Sequence, residues 1–188
     1  MTSHPTSSES SGVHYQATLP VAWESLVEQP EASTLAAENA RNEALLATLL
    51  LLDETPAELE DESQPDVMRH LDAKLDLILS LLGEVFAQQM DMPAARPVRL
   101  GGGQICIEGI TSPPRPAPGA WLRLRLYLLP RIPRALHFTA KVSADETSPR
   151  LCLQLVGLSE NNQNLLERFV FRQHRRAVAQ TRGGVQPG

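Results

Sequence analysis

The sequence is poor in aromatic residues and in long apolar runs. Phe, Trp and Tyr make up 4% of its 188 residues, whereas hydrophobic residues as a whole make up 42%. A sizeable core can therefore form, and it must be built mainly from aliphatic side chains. The longest apolar run, residues 44–52, falls far short of the ~18 residues that a membrane-spanning helix needs. We therefore expect a soluble chain that does not insert into membranes.

Basic residues are missing from the start of the chain, and the first Lys or Arg is Arg41. The N-terminal stretch also lacks an apolar run, so no secretory signal is visible and we expect a cytoplasmic protein. The net charge of −5 and the pI near 5.5 argue against a general binder of nucleic acid or of anionic membranes.

Cysteine occurs only twice, at Cys106 and Cys152, in separate strand-like runs. Neither cysteine has the spacing of a metal ligand to any of the five histidines, so the sequence predicts no metal site and no cofactor. We interpret both side chains as buried, reduced thiols.

The most regular pattern in the chain lies in residues 66–89, where apolar residues recur at alternating spacings of three and four. This heptad seam has Met68, Leu75 and Leu82 at the a positions and Leu71, Ile78 and Val85 at the d positions. The other positions are mostly charged, so the helix gains little by folding alone. Leu at a with Ile or Val at d favours trimers and tetramers over dimers. The seam predicts self-association as a homotetramer; the alternative is that it packs on the chain's own core.

A second helix is predicted just before the seam, over residues 33–53, with a broad apolar face near its end. Residues 53–66 between the two helices contain seven carboxylates and two prolines and form an acidic linker. No glycine-centred calcium-loop pattern is present, so a solvated turn is favoured over a cation site. The two helices can fold back as an antiparallel pair.

Period-two patterns on both sides of this helical block predict β-strands. They begin at residues 13–26 and resume after Arg96, and residues 120–129 alternate almost perfectly between leucine and other residues. Several short strands separated by turn signals indicate an antiparallel barrel or sandwich. Ser159 is placed to cap a final helix with an apolar face. The fold class is therefore α+β.

The order of these patterns makes the helical pair an insertion into a β domain whose first strand precedes it. We expect the following division of the chain: a disordered arm at 1–12, the first strand region at 13–28, an inserted helical oligomerisation region at 29–93, the rest of the β domain with its helix at 94–180, and a disordered tail at 181–188.

Four motifs taken together resemble a known family. They are LPVAW in the first strand, QICIEGI from Gln104, the leucine-alternating strand, and LQLVGLSENNQNLLERFVFRQHRR at the end. Their order resembles the PilZ domain, the bacterial receptor module for cyclic di-GMP, and in particular helix-bearing PilZ proteins of the xanthomonad type. The resemblance implies a six-stranded antiparallel barrel with a C-terminal helix. It also implies a role in cyclic di-GMP-linked control of type IV pili, motility or virulence.

The ligand motifs of that family are largely absent. The Arg-x-x-x-Arg motif ahead of the first strand has no counterpart, and the Asp/Asn-x-Ser-x-x-Gly motif falls on Gln104, Cys106 and Gly109, where only the glycine matches. Guanidinium groups normally bind the phosphates and guanines of such a ligand. We therefore expect a non-enzymatic oligomeric adaptor that acts on an unidentified protein partner and does not bind cyclic di-GMP tightly. The alternative is a receptor with an altered site at these three residues, completed by later arginines.

Other candidate sites have weaker support. The glycines at 101–103 lead into a strand and are followed by no lysine, which argues against a phosphate loop. Arg123 and Arg125 share one strand face with Trp121 and Tyr127. This basic-aromatic face could stack on a nucleotide or RNA, but a solvated or partner-covered sheet face is favoured. No nucleophile, base or metal constellation suggests an enzyme.

Overall fold

Six β-strands close into a single antiparallel barrel in the order β1-β2-β3-β6-β5-β4. The computed structural model describes residues 13–52, 70–71, 73–75, 77–78, 81, 92–101, 103–110, 115–129, 134–143 and 149–183. The strands are β1 (Tyr15–Leu26), β2 (Ala95–Gly101), β3 (Gln104–Ile107), β4 (Trp121–Leu126), β5 (Leu136–Val142) and β6 (Leu151–Val156). Two helices, α1 (Ala32–Leu52) and α2 (Glu160–Gly183), pack against the barrel and each other.

Strand β1 closes the barrel because it pairs with two different strands. Its first half pairs with β2 and its second half pairs with β4, and the change occurs at Pro20. Proline has no N–H to give to a ladder. Its carbonyl accepts a hydrogen bond from the Tyr127 N–H at 3.1 Å, and the Val21 N–H donates to Ala94 at 3.4 Å. Pro20 therefore lies at the corner of the barrel.

The barrel interior is aliphatic, as the composition requires. The alternating residues of every strand point inward and are buried: Leu19, Val21, Val98, Leu100, Ile105, Ile107, Leu122, Leu124, Leu126, Leu136, Phe138, Ala140, Val142, Leu151, Leu153 and Leu155. The predicted alternation fails at one residue, because Tyr127 is only 5% exposed. Strand β4 ends at Leu126, so the outward register of Arg123 and Arg125 does not extend to Tyr127.

Helix α1 covers the outside of the barrel along β5 and also packs against α2. Its predicted apolar face consists of Leu45, Leu46, Leu49, Leu50 and Leu52. The first four are buried, and the side chain of Leu52 lies outside the described part of the chain. The helix begins one residue earlier than predicted, and its described part ends at Leu52. The acidic linker, the N-terminal arm at 1–12 and residues 184–188 lie outside the described residues.

The polar side chain of Asn42 also attaches α1 to the barrel. Asn42 is 1% exposed; its Nδ2 donates to the carbonyl of His137 at 2.6 Å, and its Oδ1 accepts from the N–H of the same residue at 2.9 Å. Strand β6 pairs with β5 only over residues 139–142, so His137 lies on β5 beyond the end of that ladder. Because unpaired buried backbone groups are costly, Asn42 replaces the missing strand partner there.

The turn between β6 and α2 forms the other attachment of α1. Asn39 Nδ2 donates to the Gly157 carbonyl at 2.7 Å, and Asn39 Oδ1 accepts from the Ser159 N–H at 3.1 Å. Ser159 caps α2 as predicted, since its Oγ accepts from the Asn162 N–H at 3.1 Å. Helix α2 continues to Gly183, which is three residues into the predicted tail. It is attached to the far end of α1 by Arg172, which donates to the Leu50 carbonyl at 2.8 Å.

The expectation of two buried, reduced thiols was wrong. Cys106 and Cys152 form a disulfide, and both side chains are only half-buried on the outer face of the barrel. The physical reason is register, because β3 and β6 are neighbours and these two residues lie directly opposite each other with Cα atoms 4.1 Å apart. A separation of 46 residues in sequence gave no sign of this pairing.

Candidate functional site

The helical seam forms an exposed apolar row in the part that the structure describes. Residues 70–71, 73–75, 77–78 and 81 are helical, and Leu71, Leu75 and Ile78 are 48–51% exposed. Leu77 and Leu81 beside them are exposed to a similar degree. Met68, Leu82 and Val85 lie outside the described residues. The three described seam residues are therefore available to a partner and are not buried in the chain's own core, which was the alternative interpretation.

The three residues of the degenerate ligand motif occupy one region of the outer barrel. Gln104 and Cys106 point outward from β3, since Ile105 and Ile107 between and beside them point inward. Gly109 follows the strand with a φ of +74°, a conformation that favours glycine. The fold thus brings Gln104 and Cys106 onto a common face. Cys106 offers no S–H to a ligand while its sulfur is bonded to Cys152.

An arginine that sequence reasoning missed lies next to this motif. Arg99 on β2 is directly opposite Cys106, and paired residues in antiparallel strands project from the same face. Its Nη2 lies 3.4 Å from His14 Nδ1. On the other side of β3, Arg150 forms an ion pair with Glu108 at 3.3 Å, and Arg115 donates to the Arg150 carbonyl. The alternation in β2 could have placed Arg99 outward, but the pairing of β2 with β3 was needed to place it beside Cys106.

The basic-aromatic face of β4 is largely occupied by the protein itself. Arg123 bonds to Glu24 at 3.1 Å and to Glu38 of α1 at 3.2 Å, and Thr139 Oγ1 donates to the other oxygen of Glu38 at 3.0 Å. The ammonium group of Lys141 lies 5.5 Å from the ring centre of Trp121. This neutralisation favours a structural role for Arg123 over nucleotide stacking.

Two groups in the contact between α1 and the barrel have shifted pKa values. Burial lowers the pKa of His137 below its ordinary value of 6.5; the carboxylate of Glu38 opposes this shift, and nearby arginines add to it. A hydrogen bond from Ser159 at 2.7 Å, with a second contribution from Asn161, lowers the pKa of Glu43. Both shifts follow from the docking of α1.

A groove of about 590 Å³ lies between α2 and the turn that joins β2 to β3. Its lining is mainly apolar and includes Val13, Leu166, Val170 and Phe171. Gly101 lies at its edge, where the Val13 carbonyl passes 2.8 Å from the position a Cβ would occupy, so only glycine fits. Within the described residues, no group of three or more His, Cys, Asp or Glu side chains could hold a metal ion.

Comparison with known proteins now identifies the fold. A model of the atypical PilZ domain, described as a cyclic di-GMP receptor, matches residues 45–183. The chain belongs to the atypical PilZ family. It is also similar to a crystal structure of a pathogenic protein from Xanthomonas campestris, with a TM-score of 0.66 and 26% identity over 90% of this chain and 92% of that chain. That protein is described as a new tetrameric PilZ domain self-assembled via an unusual helical bundle. No curated protein sequence matches the chain.

These comparisons confirm the six-stranded PilZ-like barrel with its helices. The match to the atypical family starts within α1, so it includes the helical segment and leaves out β1, although β1 is part of the barrel. The family is one of receptors and regulators. Searched over the described residues, the chain has no helix that is both long and apolar enough to cross a membrane.

Proposed function

We propose that this chain is a non-enzymatic, homotetrameric PilZ-type regulator that acts in the cytoplasm on a protein partner. Its pathway is cyclic di-GMP-linked control of type IV pili, motility or virulence. The observation that carries the proposal is the exposed apolar row on the helical seam, formed by Leu71, Leu75 and Ile78. Contiguous exposed apolar side chains on a soluble domain mark interaction sites.

Covering this row contributes part of the free energy of self-association. Full burial of a Leu or Ile side chain is worth about 1.5–3 kcal/mol, and these three residues are already half-buried. Covering them therefore contributes roughly 2–4 kcal/mol per chain, before the cost of association. The helical bundle of the tetrameric Xanthomonas protein supports a tetramer as the product.

The attachment of α1 to the barrel supports the adaptor part of the proposal. The buried side chain of Asn42 and the partly exposed side chain of Asn39 each bond to the barrel or to the turn after β6, and together they fix the position of α1. Several barrels joined by a helical bundle present several copies of one surface, which raises their effective concentration at a partner without new contacts.

Charge substitution on the seam tests the oligomer. Leu75→Glu combined with Ile78→Glu places two carboxylates on the row, and we expect the assembly to dissociate to monomers in size-exclusion chromatography with light scattering. Ala73→Glu is the matched control, because Ala73 is exposed on the same helical segment but outside the seam. Dissociation of the control, or an intact assembly in the double variant, would count against the seam as the interface.

We further propose that the protein does not bind cyclic di-GMP tightly. The chain has no arginine before Arg41 to serve as the usual clamp, and the Cys106 sulfur is engaged with Cys152. Calorimetry with cyclic di-GMP is the test, and we expect no heat of binding at high micromolar ligand.

The second candidate function is a cyclic di-GMP receptor with an altered site at Gln104, Cys106 and Gly109. It is favoured by the description of the matched family and by the guanidinium of Arg99 opposite Cys106. Binding heat that is lost in Arg99→Gln and retained in Arg125→Gln, on the outer face of β4, would establish this second function and contradict the proposal that the chain does not bind cyclic di-GMP tightly.

A further inference from the structure

We propose that the Cys106–Cys152 disulfide is a thiol–disulfide exchange site at which small anionic thiols attack Cys152 and Cys106 is the leaving sulfur. The proposal concerns the chemistry of the barrel and does not depend on the regulatory function proposed above. Both cysteines are half-buried on the outer face, so the bond is within reach of solvent.

Access distinguishes the two sulfurs. A hollow of about 310 Å³ is lined by Leu151 and Cys152 of β6, by Val142 at the end of β5 with Ser143 after it, and by residues 115–118. An attacking thiolate must approach one sulfur from the side opposite the sulfur that leaves. The strand order is β2-β3-β6-β5, so a line from Cys106 through Cys152 continues toward β5, where this hollow lies. Attack on Cys152 is therefore in line with an open approach.

The opposite approach, toward Cys106, is less open. A line from Cys152 through Cys106 continues toward β2, where Arg99 lies directly opposite Cys106. The hollow on that side, of about 250 Å³, is lined by Gln16, Pro97 and Glu108 among others and does not include Cys106. That hollow therefore gives no route to Cys106.

Charge reinforces the same direction of attack. Arg115 lines the hollow beside Cys152 and its positive charge attracts an anionic thiol. Arg99, on the far side, is paired with Cys106 and so projects from the same face of the barrel. Its positive charge on that face favours the leaving thiolate, and a more stable thiolate leaves faster.

The exchange takes place in two balanced steps. In the first, the reductant's thiolate sulfur bonds to Cys152 Sγ while the bond to Cys106 breaks, and the electron pair leaves on Cys106 Sγ. In the second, another thiolate of the same reductant attacks the reductant's sulfur in the mixed disulfide and releases the Cys152 thiolate. The two protein thiolates take up the two protons that the reductant's thiols lost. The protein gains two electrons and two protons, and the reductant, a dithiol or two monothiols, becomes a disulfide.

Trapping of the mixed disulfide tests this assignment on the wild-type chain. Air-oxidised protein is treated briefly with reduced glutathione, quenched with iodoacetamide and digested, and the cysteine peptides are quantified by mass spectrometry. We expect glutathione on Cys152 and the alkyl group on Cys106, in about tenfold excess over the reverse pattern. The reverse pattern, equal amounts, no mixed disulfide, or alkylation of both cysteines before glutathione is added would each overturn the proposal.

A pair of exposed alanines tests the access route. Ala117 lines the hollow, so Ala117→Phe narrows its mouth and should slow attack by glutathione about tenfold. Ala95→Phe, at an exposed position on β2 away from the hollow, is the matched control and should react at the wild-type rate. If Ala117→Phe also reacts at that rate, the hollow is not the route and the proposal fails.

Discussion

Replacing Asn42 by alanine removes two hydrogen bonds that hold α1 against the barrel. The side-chain amide pairs with both the N–H and the carbonyl of His137, at 2.9 and 2.6 Å, in a position that is 1% exposed. The alanine variant leaves both backbone groups without this partner. Because His137 lies beyond the end of the β5–β6 ladder, β6 cannot replace the lost bonds.

The size of the effect follows from these contacts. Each of the two backbone groups of His137 that loses its partner costs about 1–3 kcal/mol. Alanine returns roughly 0.6 kcal/mol through its higher helix propensity. We therefore expect Asn42→Ala to lower the free energy of unfolding by about 1.5–5 kcal/mol.

Thr48→Ala is the matched control on the same helix. Thr48 is exposed and its Oγ1 bonds only to the Ala44 carbonyl within α1, so this variant gains a similar helix propensity and loses no contact with the barrel. Urea denaturation at one fixed protomer concentration measures both variants, since the stability of an oligomer depends on concentration. If Asn42→Ala differs from Thr48→Ala by less than about 0.5 kcal/mol, the amide does not hold α1 on the barrel.

Two further predictions concern pH and backbone conformation. Because the folded-state pKa of His137 is lowered from 6.5, the unfolded state takes up the proton first and stability should fall as pH drops below that value. The urea midpoint should fall less steeply with decreasing pH in His137→Gln than in the wild type. The same dependence on pH in both proteins would contradict the burial of this imidazole. Gly157→Ala should cost more stability than Gly119→Ala. Both glycines have a positive φ, but an added Cβ lies 2.8 Å from Leu35 at Gly157 and 3.9 Å from Lys141 at Gly119. Equal losses of thermal stability in the two variants would show that the contact with Leu35 adds no steric cost at Gly157.

The sequence predicted those parts of the fold that depend on local periodicity. Alternation in residues 120–129 and around Ile105 identified inward-facing side chains because a strand exposes its two faces at period two. The apolar face of α1 and the Ser159 cap were found for the same reason, since helix packing and capping depend on spacings of three and four.

Features that depend on strand order were beyond local periodicity. Cys106 and Cys152 are paired because β3 lies beside β6, and Arg99 lies next to the ligand motif because β2 lies on the other side of β3. In the sequence, Asn42 looks like any other polar residue of a helix. Asn42 is buried because β6 does not reach His137, and the amide of Asn42 takes the place of that strand. The heptad seam of the candidate site could be recognised in the sequence. The exposure of its side chains could not, because that depends on which residues fill the barrel core.

Sedimentation equilibrium of the wild-type chain, with and without cyclic di-GMP, tests the central claim most directly. The account predicts the mass of a tetramer in both conditions, because the interface is the seam row of Leu71, Leu75 and Ile78 and the nucleotide has no tight site. A monomer in both conditions would contradict the oligomeric regulator. If the mass of the assembly changes when cyclic di-GMP is added, oligomerisation depends on the nucleotide. That result would favour the altered receptor site at Gln104 and Cys106.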